Sequence, residues 1–348
     1  MKLAEERTAP WSKIGTRLPE GTTINEAMVA SGLDYTVGIT DAIVDLPVNQ
    51  YEAISVPFPN KRVTYRIDTM EPLGFVGNRY HVLQHRDAIP LLEALVGTGW
   101  SPLAGGTMRK GAVGWLVGAL PFKPKSGEFE ANLAIMNSFD MSSGLRFANT
   151  PLRPVCNNAV QLMMRGAKSS FVLKHSKHMD QRFEEAREAL GIAVAYAEKL
   201  DEEIERLLDM KINLKDAKYL VNKIIPLHKV AGLKGKRFGG EMKNPSGEWK
   251  ELSDKAIRIR EERQDDVIRH WLTSETLDGI RETGWGWINA LNEMDQWTPR
   301  PKTSERGLAE RTLLTQLNAV SGTWTQIAHK SLRDQSFRQG VAEYHSLR

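Results

Sequence analysis

Cysteine is almost absent: Cys156 is the one cysteine in 348 residues. A lone thiol excludes a disulfide framework and any cysteine-rich zinc module, and it fits a reducing compartment. No apolar run approaches the roughly eighteen residues of a spanning helix, which excludes a membrane-embedded chain. The opening MKLAEERTAPW carries acids and no apolar stretch, so it does not read as a secretion signal. The usual nucleotide and hydrolase signatures are missing as well: G-x-x-x-x-G-K-[ST], H-E-x-x-H, G-x-S-x-G and G-x-G-x-x-G do not occur. What remains, 41% hydrophobic and 26% charged residues, is the composition of a globular protein and excludes a disordered or collagen-like chain. Length alone points to two domains or one elaborated domain.

The most informative absence is local. From Met141 to Met179 there is no acidic residue, although chance would place about four or five there in a chain with 43 Asp and Glu. The same stretch holds Arg146, Arg153, Arg165, Lys168, Lys174 and Lys177, with His175 and His178 beside them. The segment that follows, Asp180 to Asp209, is strongly acidic. Segregation of sign is what a polyanion-binding face needs, because bound phosphates release counterions and nearby carboxylates would oppose them. The other reading is a basic face and an acidic face that pair within the fold.

Periodicity gives an α+β fold. A short helix is expected over Ile24 to Val29, capped by Thr22 or Thr23, and a strand over Arg62 to Asp68. His85 to Val96 reads as a helix with Asp87 capping, and Gly105-Gly106 as a turn. Three antiparallel strands follow, Val113–Leu120, Phe129–Phe139 and Leu145–Thr150, then a helix from about Val155 to Arg165: a β-β-β-α unit. Gly114 and Gly118 leave one face of the first strand nearly bare, which implies close packing or a ligand lying on it. Phe183, Leu190, Ala197 and Ile204 fall seven apart, as do Ala186, Ala193, Leu200 and Leu207, so one long helix is expected, packed on the core or serving as a docking surface. Helices are also expected over Leu214–Leu227, from Ser253 to Trp271, over Leu277–Met294 and near Leu308–Leu332, with a frayed chain end. The organisation expected is an N-terminal arm with a short helix (1–60), an antiparallel α+β core (61–179) and a mostly helical C-terminal half (180–348) with a mobile loop over 232–252.

If the helix after the third strand forms, Asn158, Gln161 and Arg165 share one face, offering amide and guanidinium donors suited to phosphate and sugar. The candidate nucleic-acid-binding residues are therefore Arg146, Arg153, Asn157, Asn158, Gln161, Arg165, Lys168, Lys174, His175 and Lys177. Phe147 and Phe171 are either stacking platforms or, the better reading, core. Lys234, Lys236, Arg237 and Lys243 offer a second contact or merely a soluble loop. Catalytic readings are weaker. His175, His178 and Asp180 lack further ligands for a metal, Cys156 lacks a partner base, and Glu128, Glu130 and Asp140 read as solvated carboxylates rather than a nuclease centre.

Several stretches carry a resemblance. Arg62-Val-Thr-Tyr-Arg-Ile-Asp-Thr69, Leu73-Gly-Phe-Val-Gly-Asn-Arg-Tyr80, Arg153-Pro-Val-Cys-Asn-Asn158, Lys174-His175 and Gly284-Trp-Gly-Trp-Ile-Asn-Ala-Leu-Asn292 resemble the signature of a phage/plasmid-like protein family of unknown function. That resemblance spans the chain from Trp11 to about Leu332. It implies a setting in phage genomes and conjugative plasmids, beside single-strand-binding and recombination genes. By topology alone, the β-β-β-α unit is similar to the core of phage single-strand annealing proteins of the Red-beta/RecT/Erf group. This second resemblance implies a cofactor-free protein that binds single-stranded DNA as a homo-oligomer, a ring or a filament. It would act in the bacterial cytoplasm with no membrane contact, beside a single-strand-binding protein or a recombination nuclease. Arg146, Arg153, Asn158, Arg165 and Lys168 would then touch the DNA backbone. A rival from another class is a protein-interaction factor that acts on a host defence system or a recombinase through the acidic helix, without binding DNA. A metal-dependent nuclease is the third and weakest reading.

Overall fold

A computed structural model of the chain describes residues 9–155, 158–159, 170–173, 182–227, 253–297, 304, 307, 309–310, 313 and 323–346. Its centre is a six-stranded antiparallel sheet. The strands are β1 (Thr16–Arg17), β5 (Ser101–Met108), β6 (Val113–Ala119), β7 (Asn132–Ser138), β8 (Leu145–Asn149) and β11 (Ser170–Leu173), adjacent in that order. Side-chain alternation divides the sheet into two faces. Leu116, Leu133, Ile135, Leu145 and Phe147 point into the larger core, and Val113, Trp115, Val117, Ala134, Met136 and Ala148 into a smaller one closed by Trp11, Ile14, Ala309 and Leu313. A separate three-stranded sheet is made of β2 (Val37–Pro47), β3 (Ala53–Arg66) and β4 (Pro72–Gly77). A two-stranded ribbon joins β9 (Leu152–Arg153) to β10 (Asn158–Ala159).

The helices cover the larger face. Helix α1 (Ile24–Ala30) starts at Thr23, whose hydroxyl accepts from the Glu26 amide while the Glu26 carboxylate accepts from the Thr23 amide, a complete capping box. Helix α2 is Ile89–Gly97, entered through a 3-10 turn over His85–Ala88. Helix α3 runs from Arg182 to Asp209. Its heptad positions Leu190, Ala193, Ala197, Leu200, Ile204 and Leu207 are all buried, so the long helix is a core element. The C-terminal half continues with α4 (Leu214–Ile224), α5 (Asp254–Thr273, capped by Ser253), α6 (Gly284–Trp297), α7 (Thr323–Leu332) and α8 (Phe337–Ser346). The architecture is α+β, as its periodicities indicate.

Several expectations need correction. Gly105 and Gly106 are not a turn but part of β5. A Cβ on Gly105 would lie 2.2 Å from Ser31 Oγ and 2.4 Å from Leu116 Cδ2, so the glycine admits close packing rather than a bend. On the bare face of β6 it is the close-packing alternative that holds: a Cβ on Gly114 would meet His85 at 2.3 Å, and one on Gly118 would meet Trp100 at 2.3 Å. Where a helix was expected after the third strand, Asn158 and Ala159 are extended and pair with Arg153 and Leu152. The chain end is not frayed over α8, where Phe337 and Val341 are buried and Arg338 pairs with the buried Asp216 at 2.6 Å. Strand β3 runs across residue 60, and the larger core takes residues from Leu18 to Val341. The loop expected over 232–252 lies outside the described residues.

The acidic character of α3 is partly internal. Asp201 is buried and accepts from the Lys125 amide at 2.7 Å, and from the Ser126 amide and hydroxyl at 3.2 and 2.5 Å. Glu203, also buried, meets His329 Nε2 at 2.7 Å and Arg206 Nη2 at 2.7 Å. Burial pushes the Glu203 carboxyl pKa up, but the His329 and Arg206 contacts outweigh it and hold the group at about 2, below its ordinary 4.5. A depressed pKa in the folded state stabilises above the unfolded value and is lost as pH falls through the folded value. The stability gap between the wild type and Glu203→Gln is therefore expected to be full above pH 4.5 and to close towards pH 2. Thermal midpoints of both proteins across that range check this; a gap that stays constant would contradict it.

Candidate nucleic-acid interface

Strand β8 pairs with β7 on one side and with the edge strand β11 on the other, Arg146 standing opposite both Met136 and Val172. Alternation puts Arg146 on the face of Met136 and Ala148, away from the larger core. Its side chain is half-buried and held by two hydroxyls: Nε donates to Ser143 Oγ at 3.2 Å and Nη1 to Ser170 Oγ at 3.4 Å. Among the described residues no carboxylate pairs with it. Burial pulls the Arg146 pKa down from its ordinary value, and no charge among the described residues restores it. Other bases of the same end of the sheet are matched: Arg109 pairs with Asp140 at 2.8 Å and Lys110 with Glu71 at 2.7 Å. Arg146 is thus a positioned cation, partly stripped of water, with donor capacity left for an anion.

The other expected contacts divide. Asn157, Gln161, Arg165, Lys168, Lys174, His175 and Lys177 lie outside the described residues, as do Cys156, His178 and Asp180. Of Asn158 only the strand placement is described. Phe147 is buried and its ring lies 6.4 Å from that of Phe171, which packs on the same core, so neither is placed as a stacking platform.

Arg153 is a correction. Its side chain is 3% exposed, its Nε donates to Glu128 Oε2 at 2.9 Å, and its Nη1 donates to the Thr276 carbonyl at 2.7 Å. A guanidinium so enclosed holds the fold together and is not presented to a backbone phosphate. Trp285 Nε1 donates to the same Glu128 oxygen at 2.8 Å. One step further, the fully buried Glu293 accepts from the Thr276 hydroxyl, from Ser274 Oγ at 3.0 Å, and meets His270 Nε2 at 3.0 Å. The network ties β9 and the loop before β7 to α5, α6 and the 3-10 turn at Glu275–Leu277. Sequence reading missed it, although its signal was present: Arg153 opens one of the quoted stretches, Trp285 lies in another, and Glu293 follows that one directly. Their side chains meet in the interior as a polar clamp between sheet and helices.

Of the three carboxylates considered for a nuclease centre, Glu130 is exposed and the other two are engaged separately. Glu128 is taken by Arg153 and Trp285, and Asp140 by Arg109 and the Ser142 amide. Among the described residues no group of three or more His, Cys, Asp and Glu side chains is arranged to hold a metal ion, and no helix is long and apolar enough to cross a membrane.

No curated protein and no solved structure matches the chain, so the resemblance to single-strand annealing proteins gains no support from either comparison. The expectation of a family of unknown function does hold: the family model described as a domain of unknown function, DUF932, matches residues 72–344, and the chain belongs to that family.

Proposed function

We propose that this protein is a phage or plasmid DNA-recombination protein that binds single-stranded DNA and promotes annealing of complementary strands. It would act as a homo-oligomer, without a nucleotide cofactor, in the cytoplasm of a bacterial host. The observation that carries the reading is the acid-free stretch from Met141 to Met179, one of whose described cations, Arg146, sits half-buried on β8 beside the edge strand with hydroxyl partners only among the described residues. The mechanism is positioning. Cations hold backbone phosphates, bases stay free to pair, and repetition of subunits extends the track along the strand. Arg153 plays no part in contacting DNA and Arg146 takes the central place among the described residues.

Replacing Arg146 by Glu is expected to weaken binding of a labelled single-stranded oligonucleotide at least about tenfold at low salt, since a lost cation and an added carboxylate both oppose the phosphates. Arg146→Lys should retain most of the affinity. The half-exposed site leaves the fold intact, which a thermal midpoint near that of the wild type would verify. Unchanged affinity in a folded Arg146→Glu protein contradicts the site.

A further inference from the structure

The outer part of the three-stranded sheet is a bare ribbon. Strand β4 pairs only with Lys61 to Tyr65 of β3, so from Ile43 to Pro47 and from Ala53 to Pro57 the arm consists of β2 and β3 alone. Cross-strand pairs Val44–Val56 and Leu46–Ile54 share one face. Val44 is 37% exposed, Leu46 46% and Ile54 54%. Monomers expose such residues singly rather than as a row of paired aliphatics, and an isolated two-stranded ribbon is marginal in water by itself. Yet this ribbon is built to hold its shape. At its tip Asn49 Oδ1 accepts from the Tyr51 and Glu52 amides at 2.9 and 3.1 Å, and its Nδ2 donates to Glu52 at 3.0 Å. The prolines Pro47, Pro57 and Pro59 remove donors from the strands, which disfavours adding a further strand edge to edge and leaves the face as the contact surface.

Charge says what covers that face. From Val37 to Asn60 the ribbon holds three acidic residues, Asp41, Asp45 and Glu52, and not one Lys or Arg. Taking those three negative charges from the chain's net +4 leaves +7 on the remainder. A nucleic acid or an anionic membrane is therefore the wrong partner for the arm, and the rest of this same chain is the right one. The polarity is also internal to the arm: Glu52 lies at the tip, while exposed Lys61 and Arg79 lie at the root, on β3 and just past β4. Two arms laid face to face and antiparallel bring each acidic tip to the other's basic root, the self-complementary arrangement of a two-fold interface.

We propose that this hairpin is a self-association element, and that its apolar face is covered by the arm of a second copy of the chain. The inference supplies the surface for the homo-oligomer in the reading above but stands on different residues from the DNA contact, so the two fail separately. Light scattering of the full-length protein after size exclusion is expected to show a dimer or a larger species. Leu46→Glu with Ile54→Glu, both on the exposed face, should shift it to monomer, weakening association at least about tenfold while helical content and the thermal midpoint stay as in wild type. Charge reversal adds a sharper readout. Glu52→Lys, and separately Lys61→Glu with Arg79→Glu, should each impair self-association at low salt, and mixing the two variants should restore it. A wild-type protein that stays monomeric, a double-Glu variant that assembles as the wild type does, or reversed variants that fail to recover on mixing would overturn the proposal. Oligonucleotide anisotropy on the same variants reads the DNA contact independently.

Discussion

Replacing Arg153 by Met is expected to cost about 3–5 kcal/mol of stability, because it strips the partner from a largely enclosed carboxylate. The side chain is 3% exposed, and Glu128 would keep only Trp285 as a donor among the contacts described above. The Thr276 carbonyl would lose its guanidinium donor as well. In a chain of 348 residues such a loss lowers the thermal midpoint by on the order of 5–10 °C. Adding Glu128→Gln to that variant should recover part of the loss, since an amide left beside Met costs less than an unpaired carboxylate and still accepts from Trp285. A double variant less stable than Arg153→Met alone would show that the ion pair is not what holds this junction. The comparison also separates fold from function: any fall in DNA binding in the Arg153 variant should track unfolding, whereas that of Arg146→Glu should not.

Gly286→Ala is expected to destabilise the protein although helix propensity favours it. In the interior of an exposed helix, Ala in place of Gly is worth about 1 kcal/mol in favour of the helix. Here the new Cβ would lie 2.1 Å from the Ile280 carbonyl oxygen and 2.9 Å from that of Arg281. Both obstacles are backbone, so α6 would have to shift against the segment that delivers Thr276 and Ile280 to the core. Overpacking of this kind costs about 1–3 kcal/mol and more where backbone must move, so the clash outweighs the propensity gain. A lowered midpoint in thermal or urea unfolding is the expected result; an unchanged or raised one would mean that α6 tolerates movement at its N-terminus.

These two positions show where sequence was informative and where it was not. Local signals were legible: Thr22 or Thr23 marked the start of α1, the seven-residue spacing of Leu190, Ala197 and Ile204 marked α3, and Ser253 marked the start of α5. The strands of the central unit were legible from alternation. What escaped depends on residues distant in the chain. Asp201 and Glu203 look like surface acids until Ser126 and His329, 75 and 126 residues away, are brought to them. Arg153 looks like a phosphate ligand until Thr276, 123 residues on, closes over it. Gly105-Gly106 carries a turn signal that close packing of Ser31 and Leu116 turns into a strand requirement. The outer β2–β3 ribbon, before the strand expected at Arg62, was missed for a different reason: its apolar face has no core to pack on, so Pro, Asp and Asn among short apolar runs read as loop. For the candidate site, the charge segregation that includes Arg146 lies in the sequence itself; the two serines that hold Arg146 could not be read from it, because hydroxyls carry no sequence signal of their own.

The most direct test of single-strand binding is fluorescence anisotropy of a labelled single-stranded oligonucleotide, titrated with the wild-type protein at low and then at physiological salt. Binding that is tight at low salt and weakens steeply as salt rises is the predicted result, with log affinity falling by about 0.7 per decade of salt for each phosphate neutralised. No binding at low salt, or binding indifferent to salt, would contradict it and leave the acid-free stretch as one half of an internal charge pairing.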